Sequence, residues 1–134
     1  MLSLKYIIIP ILAAILSQSI KILLEFIKTK KINLNRLIDG MGGMPSTHSA
    51  LVSSLSTTIY LEYGTSPLFA VTLFFSLITM YDSMGIRYES SKQAKIINKI
   101  ADSNLEENIG HKPIEVLIGA FIGIFFTLII SIIK

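Results

Sequence analysis

Four apolar stretches alternate with polar connections along the chain. The first, at residues 4–27, and the last, at residues 113–133, are almost continuously apolar. Each is long enough to cross about 30 Å of hydrocarbon at about 1.5 Å per residue. A third stretch, at residues 66–84, and the last one both have a proline near their start, which suits the first turn of a helix. The pattern predicts membrane-spanning helices over these three ranges.

The remaining apolar stretch, at residues 46–61, differs from the others because eight of its residues are serine or threonine. A hydroxyl side chain can donate a hydrogen bond to the carbonyl one turn back, or across a contact between helices. Such a stretch suits a helix packed among other helices better than one that faces lipid. We expect it to form a helix inside the bundle.

The longest connection contains a short amphipathic stretch, SSKQAKIINKI, at residues 90–100. Its lysines share one helical face, which suits an anionic lipid surface. The predicted fold is therefore all-α: an integral membrane bundle of about four transmembrane helices plus a short amphipathic interfacial helix. We expect residues 1–134 to form a single membrane-embedded domain.

Composition narrows the function classes. Hydrophobic residues make up 51% of the chain and charged residues 16%, which argues against a soluble globule. The absence of cysteine excludes disulfides and thiolate metal sites. Two histidines and scattered carboxylates match no familiar ligand spacing, so we expect no metal. The basic residues adjoin apolar runs and lack interleaved aromatics, so nucleic acid is a poor partner.

The basic residues indicate how the bundle lies in the membrane. In a four-helix chain the connections at residues 28–45 and 85–112 share one face. They hold nine basic residues, against two on the opposite face. By the positive-inside rule these connections are cytoplasmic and both termini lie outside. We expect a protein of the cell (inner) membrane, with phosphates and lipid headgroups attracted to its cytoplasmic face.

Both histidines fall on this basic face, each near a predicted helix start. The stretch GGMPSTH ends at His48 and offers glycines and a helix N-terminus, which favour an anion such as phosphate. The stretch GHKPIE begins its apolar helix just after His111. Glu115 lies four residues beyond His111, a spacing at which a carboxylate can hold one ring nitrogen protonated. Two imidazoles suggest one nucleophile and one proton donor.

Three blocks, GGMPSTHSA, YDSMGIRYESSKQA and GHKPIEVLIGAFIGI, resemble the short divergent branch of the type 2 phosphatidic acid phosphatase superfamily, which is related to vanadium haloperoxidases. The resemblance implies that His111 is a nucleophile oriented by Glu115 and that His48 is the general acid. It also implies a phosphohistidine intermediate and hydrolysis by water, without a metal or other cofactor. The superfamily's arginine before the nucleophile corresponds to Leu105 here, and Arg87 is the candidate to replace it.

The remaining candidate site residues are those that would contact phosphate or substrate. Arg87 offers a bidentate fork, and Asp82 is near enough in sequence to pair with it. For Lys21 the alternatives are a phosphate contact and neutralisation by Glu25 within the bundle. The full set of predicted substrate contacts is Lys21, Arg36, Gly43, Ser46, Thr47, Asp82 and Arg87.

The sequence favours an integral membrane phosphatase acting on a lipid phosphomonoester or diphosphate at the cytoplasmic interface. The alternative is a non-catalytic membrane protein that binds phosphorylated lipid or acts as a scaffold. A small transporter or lipid scramblase subunit is a weaker third hypothesis. The expected partners are a phosphorylated lipid and the surrounding membrane lipids. A homodimer is a further possible partner, because Gly119 and Gly123 form a small-residue stripe that permits close contact between helices.

Overall fold

The computed structural model describes residues 4–30 and 42–133 of the 134-residue chain. This part of the chain contains five helices and no strand, in agreement with the predicted all-α fold. The helices are α1 (Lys5–Thr29), α2 (Thr47–Tyr63), α3 (Pro67–Met84), α4 (Ile86–Ala101) and α5 (Pro113–Ile133).

Two of the helix starts have the features that the sequence suggests. Ser46 is the N-cap of α2, and its Oγ accepts a hydrogen bond from the Ser49 backbone N–H at 3.4 Å. Ser66 caps α3 in the same way, accepting from Phe69 N–H at 3.2 Å, and Pro67 occupies the first turn. Such caps satisfy backbone donors that have no partner within the helix, so they fix where each helix begins.

α1 and α2 run antiparallel, and contacts at both ends show this. At one end Lys5 forms an ion pair with Glu62, and the Tyr6 ring stacks on the Tyr63 ring at a centroid distance of 6.0 Å. We call these two contacts the far-end clasp. At the other end of α2, Thr47 Oγ1 donates a hydrogen bond to Gln18 Oε1, just past the middle of α1. The beginning of α2 therefore lies beside the second half of α1.

α2 lies at the centre of the bundle and packs against α1, α3 and α5. Most of its hydroxyls are buried and hydrogen-bonded, as expected for an interior helix, although the buried Ser56 Oγ has no partner among the described residues. Ser53 Oγ donates to Ala120 O of α5 at 3.1 Å, and Ser54 Oγ and Thr127 Oγ1 lie 2.7 Å apart. On the opposite side, Ser76 Oγ of α3 donates to Val52 O at 2.9 Å. In the two pairs between α2 and α5, the residue later in α2 contacts the residue later in α5, so these two helices are parallel.

The small-residue stripe of α5 is used within the chain. A Cβ atom at Gly119 would lie 2.2 Å from Ser46 O, and one at Gly123 would lie 2.2 Å from Ala50 O. Only glycine permits this approach of α5 to α2. Since the stripe packs against α2 of the same chain, it gives no support for a homodimer. The homodimer stays a prediction.

The number of spans is confirmed only in part. Within the described ranges, three helical segments are long and apolar enough to cross a membrane: Lys5–Thr29, Pro67–Ala101 and Pro113–Ile133. α2, with 17 residues and many hydroxyls, is not among them. The amphipathic helix also differs from its prediction, since α4 starts at Ile86 rather than near residue 90. Only Gly85 separates α4 from α3. The charged residues after Gly85 are compatible with a helix, so α4 starts earlier than its amphipathic pattern suggested.

Candidate active site

His48 lies in the first turn of α2 with an exposed side chain. The two hydroxyl residues before it hold this turn in place. Ser46 is fully buried as the N-cap, and Thr47 Oγ1 donates a hydrogen bond to Gln18 Oε1 of α1 at 2.7 Å. Both were predicted to contact substrate, and the structure gives each a bond that positions the start of α2.

His111 lies two residues before α5 and is only 2% exposed. Three hydrogen bonds donated by its backbone N–H groups hold this segment against α3 and α4. The His111 N–H donates to Ser83 O at 3.0 Å, while the N–H groups of Ile109 and Gly110 donate to Ser91 Oγ at 3.1 and 3.0 Å. The position of this histidine is therefore set by the end of α3 and the first half of α4 as well as by α5.

Glycines bring the two histidine segments into contact. A Cβ at Gly42 would lie 2.1 Å from Gly110 O, and the Gly42 N–H donates to Asn108 O at 2.6 Å. A Cβ at Gly110 would in turn lie 2.3 Å from Tyr88 Cα. Gly43 has a φ of 111°, a backbone conformation that other residues rarely adopt. Larger residues at these positions would push the segments apart.

The structure brings the two histidines together at one end of the bundle. Their ring centroids are 6.3 Å apart and the ring planes are inclined by 66°. The Ser46 N–H donates to Glu115 O at 3.0 Å, which ties the start of α2 to the first turn of α5. The rings are thus held by two helices whose starts are bonded to each other.

The expected hydrogen bond between Glu115 and His111 is not made. Glu115 Oε2 instead accepts from the Lys112 backbone N–H at 3.0 Å, as a helix-capping carboxylate does. The reason is that α5 begins at Pro113. His111 precedes the helix, so the spacing of four residues does not place the two side chains on one helical face.

Basic side chains approach the histidines from two sides. Lys21 of α1 is buried, and with Gly43 and Lys112 it lines a cavity of about 430 Å³. Arg87, at the start of α4, donates from Nε to Asp82 Oδ2 at 3.2 Å, which confirms the expected pairing. Both partners are partly exposed, so the pair orients Arg87 more than it stabilises the fold. Arg36 lies outside the described residues.

The sequence profile of the divergent PAP2 family matches residues 2–126, which include both histidine segments. The chain belongs to the divergent PAP2 family. It is also 38% identical to the uncharacterized membrane protein YuiD of Bacillus subtilis (strain 168), and the match covers 89% of each chain. No solved structure matches it. The resemblance read from the sequence is confirmed, and together with the apolar helices it identifies a membrane protein.

Burial controls the protonation of His111 in this divergent PAP2 family member. Burial lowers the pKa of His111 to about 4; the carboxylate of Glu115 opposes this shift, and the charge of Lys21 adds to it. Neither ring nitrogen has a hydrogen-bond partner among the described residues. His111 is therefore neutral near pH 7, with a lone pair on one nitrogen. Both nitrogens are shielded from solvent, so a reactant can reach them only if neighbouring groups move.

The electrostatic environment of His48 is similar but weaker. Partial desolvation of its ring lowers the pKa of His48 although the side chain is exposed, and the charges of Arg87 and Lys21 act in the same direction. These two cations are therefore close enough to affect both histidines, one from α4 and one from α1. A phosphate dianion between them would be attracted to the cations and would favour the protonated form of an adjacent imidazole.

Three residues that position the site were not among the predicted contacts: Gln18, Ser83 and Ser91. Gln18 is a polar residue within an apolar helix, and this alone could have identified it as a candidate site residue. Ser91 is the first buried residue of α4, and its Oγ also donates to Arg87 O at 3.1 Å. Ser83 acts through its backbone carbonyl, so no pattern of side chains reveals its role.

Proposed function

We propose that this divergent PAP2 family member is a metal-independent membrane phosphatase that hydrolyses a phosphomonoester or diphosphate group on a lipid. One observation carries the proposal: the rings of His48, in the first turn of α2, and His111, just before α5, have centroids 6.3 Å apart, and the charges of Lys21 and Arg87 act on both. A neutral, buried imidazole opposite a more exposed one suits nucleophilic attack paired with proton donation.

The proposed reaction has two steps. A ring nitrogen of His111 attacks phosphorus, and the bond from phosphorus to the leaving oxygen breaks as His48 donates a proton to that oxygen. The lipid alcohol departs and the phosphoryl group remains on His111. Water then attacks the phosphorus, loses its proton to His48, and releases inorganic phosphate and neutral His111. Lys21 and Arg87 balance the charge on the phosphoryl oxygens.

The ring separation supports this assignment. An in-line transfer needs the attacking nitrogen on one side of phosphorus and the proton donor on the other, within a hydrogen bond of about 2.7–3.0 Å of the leaving oxygen. Ring centroids 6.3 Å apart, in an edge-to-face arrangement, bring both imidazoles to one site. An in-line phosphoryl group between their nitrogens would move the rings further apart.

A lipid substrate is favoured by where the site lies on the bundle. Both histidines are near helix starts, while the outer surfaces of α1, α3 and α5 expose large apolar side chains that suit lipid. A site at the end of such a bundle meets lipid headgroups. The basic connections favour the cytoplasmic face of the inner membrane.

A second function is supported by two observations. The nitrogens of His111 are shielded, and Leu105 stands where the superfamily carries an arginine. A non-catalytic protein that binds phosphorylated lipid, or a scaffold, would need cations and buried helix starts but no accessible nucleophile. The two functions differ in turnover rather than in phosphate binding.

The test is phosphate release by purified protein in detergent with EDTA, from lipid phosphates and lipid diphosphates. Wild type is compared with His111→Asn, which keeps a polar side chain of similar size. We expect release that EDTA does not affect, its loss in the variant, and an acid-labile phosphoenzyme only in wild type. Absence of release from all lipids by folded protein that still binds them would favour the non-catalytic function.

A further inference from the structure

A polar cavity lies between α1, α2 and α5 at the end of the bundle that carries the far-end clasp, away from the histidines. It has a volume of about 260 Å³, and Lys5 and Glu62 of the clasp both line it. Thr58 and Thr127, which are 5% and 1% exposed, form its floor. Ser131 lines it at an exposed position. The cavity therefore places buried oxygen atoms below an open rim.

The three hydroxyl groups that line this cavity all use their proton within their own helix. The hydroxyls of Thr58, Thr127 and Ser131 donate to backbone carbonyls three or four residues back, at 2.8, 2.9 and 2.7 Å. A hydroxyl has one proton and two lone pairs. With the proton committed, each of these side chains can offer a ligand only a hydrogen-bond acceptor.

The charged groups of the cavity are one of each sign. Lys5 Nζ donates to Glu62 Oε2, and the two side chains are 23% and 44% exposed. A partly exposed ion pair contributes little to stability, so a ligand can share these charges at small cost. A carboxylate also has several acceptor sites. Three hydroxyls and a carboxylate beside one ammonium suit a ligand whose cation carries several N–H donors and has an anion next to it.

The walls of the cavity connect it to the lipid-facing surface of the bundle. Ile9, Leu61 and Ile130 line it together with the polar groups. On the adjoining surface of α1 and α5, Ile8 and Ile129 are 47% and 52% exposed. Acyl chains can lie along these helices while a headgroup occupies the cavity. A soluble amine would make no use of this apolar surface, so the cavity favours a lipid.

We propose that this cavity binds the headgroup of a zwitterionic phospholipid that carries a primary ammonium group, in the leaflet opposite the histidines. The ammonium donates to Thr58, Thr127 and Glu62, while the headgroup phosphate pairs with Lys5. A primary ammonium has three N–H donors and a trimethylammonium has none, so the site distinguishes these two headgroups. This binding requires no turnover at the histidines and is independent of the proposed phosphatase function.

The experiment measures which lipids stay bound to the protein. Protein in nanodiscs of equal parts phosphatidylethanolamine and phosphatidylcholine, with identical acyl chains, is released and weighed with its retained lipids by native mass spectrometry. We expect wild type to retain the ethanolamine lipid over the choline lipid by about threefold or more, since each hydrogen bond adds about 1 kcal/mol. Lipids with one or two N-methyl groups should give intermediate ratios.

Two neighbouring threonines give a matched pair of variants. Thr58→Val removes an acceptor from the cavity floor and should bring the retention ratio close to one. Thr57→Val is the control, because the Thr57 hydroxyl also donates to the carbonyl four residues back at 2.8 Å but lines the groove towards α3. This variant should keep the wild-type ratio.

Each other outcome counts against the proposal. Equal retention of the two lipids by wild type, or an equal loss of preference in both threonine variants, would overturn it. A ratio that does not fall with successive N-methylation would show that N–H donors are not recognised. Preference for an anionic lipid would show that Lys5 alone binds phosphate. Displacement of the lipid by soluble glycerophosphoethanolamine would reject the lipid-anchored ligand. If Thr58→Val does not fold, Ser131→Ala tests the same set of acceptors at the rim, and a wild-type ratio in that variant would reject the site.

Discussion

The two histidine segments look alike in sequence, since each places glycine, proline and histidine near a helix start, but they are solvated differently. His48 is inside the first turn of α2 and exposed. His111 precedes α5, is 2% exposed, and is held by the Ser83 carbonyl. The proline position accounts for the contrast, because it precedes the histidine in one segment and follows it in the other. The His48 ring is therefore carried by the first turn of α2, whereas the His111 ring is buried in the segment before α5.

This contrast indicates how one bundle gives two imidazoles different chemistry. Burial is the largest cause of the lowered pKa of His111, and it favours the neutral, nucleophilic form. The ring of His48 is exposed and exchanges protons with solvent more easily, which suits the proton donor proposed for it. The difference is one of environment rather than of residue type, so it can be tested by changing either the residue or its surroundings.

The largest expected effect comes from removing each ring in turn. His111→Ala should lower phosphate release from an alkyl phosphate lipid by about 10⁴-fold or more, since no nucleophile remains. His48→Ala should lower it by about 10²–10⁴-fold, the usual contribution of a general acid. Steady-state kinetics of both variants on the same lipid measures the difference.

An aryl phosphate whose leaving group is stable as an anion sharpens this test. Such a leaving group needs no proton donor, so it should restore most of the rate of phosphoenzyme formation in His48→Ala and none of it in His111→Ala; the later attack by water, which also uses His48, should remain slow. Equal rescue of both variants would reject the division of labour between the two rings. Circular dichroism of each variant controls for folding.

A second way to break the comparison is to move one segment relative to the other. Gly123→Ala places a methyl group 2.2 Å from Ala50 O and should force α5 away from α2. We expect a stability loss of about 1–3 kcal/mol and a rate loss of up to about 10²-fold, because a displacement of about 1 Å misaligns the two rings. Thermal unfolding and kinetics measure the two effects.

Ala70→Val is the matched control for this variant, because it adds carbon atoms at an exposed position of α3. It should change neither stability nor rate measurably. If Gly123→Ala behaves like this control, the contact between α2 and α5 does not set the separation of the histidines.

The pH dependence of kcat/KM is the third test. Titration of His111 should set the acidic side of the profile, and titration of His48 should set the alkaline side. Below about pH 4 His111 is protonated and cannot attack, so the rate falls as the pH decreases. The pKa of His48 is lowered from its ordinary 6.5, so above it the general acid is lost and the rate falls as the pH increases. We expect a maximum between these values, with about a tenfold change per pH unit outside it.

The His48→Ala variant should lose the alkaline limb and retain the acidic one. A wild-type maximum above pH 8 would contradict the assignment of these roles, because both free histidines would then be neutral throughout the active range.

The smallest expected effect concerns Glu115. Glu115→Ala removes the acceptor for the Lys112 N–H and should cost about 1 kcal/mol of stability, whereas Glu115→Gln keeps an acceptor and should cost less. Both changes remove a charge that raises the pKa of His111, so both should shift the acidic limb to lower pH. Thermal unfolding and pH profiles of the pair separate the cap from the charge. An unmoved acidic limb would show that the charge does not act on His111.

Much of the fold follows from local sequence signals. Apolar runs, Ser46 and Ser66 as caps, and the prolines at the starts of α3 and α5 place four helices within two or three residues of their predicted ends. The start of α4 was predicted too late, because the amphipathic pattern was recognised only from residue 90, whereas the helix begins at Ile86, directly after Gly85. A helix tolerates one glycine where its neighbours continue the turn, and only the whole structure shows that they do.

The site was predictable to a lesser degree. That both histidines share one end of the bundle follows from helix alternation, and the Asp82 and Arg87 pair follows from their closeness in sequence. The contact expected between Glu115 and His111 failed because a spacing rule for helices was applied across a helix start. The bonds to the Ser83 carbonyl and the Ser91 hydroxyl depend on how α3 and α4 pack against the segment before α5. This packing is a tertiary contact, so local sequence patterns do not predict it.

The far-end clasp has a consequence for the opposite side of the bundle. α1 is a single helix between Lys5 and Lys21, a distance of about 24 Å at about 1.5 Å per residue. The clasp fixes the axial position of α1 against α2, and so it sets the height at which Lys21 stands beside Gly43. Substitutions at Tyr6 or Glu62 would therefore act at long range, by sliding a charged group along the axis of the bundle. A shift of α1 at the far end would thus be transmitted along one continuous helix to the end of the bundle that holds the two histidines.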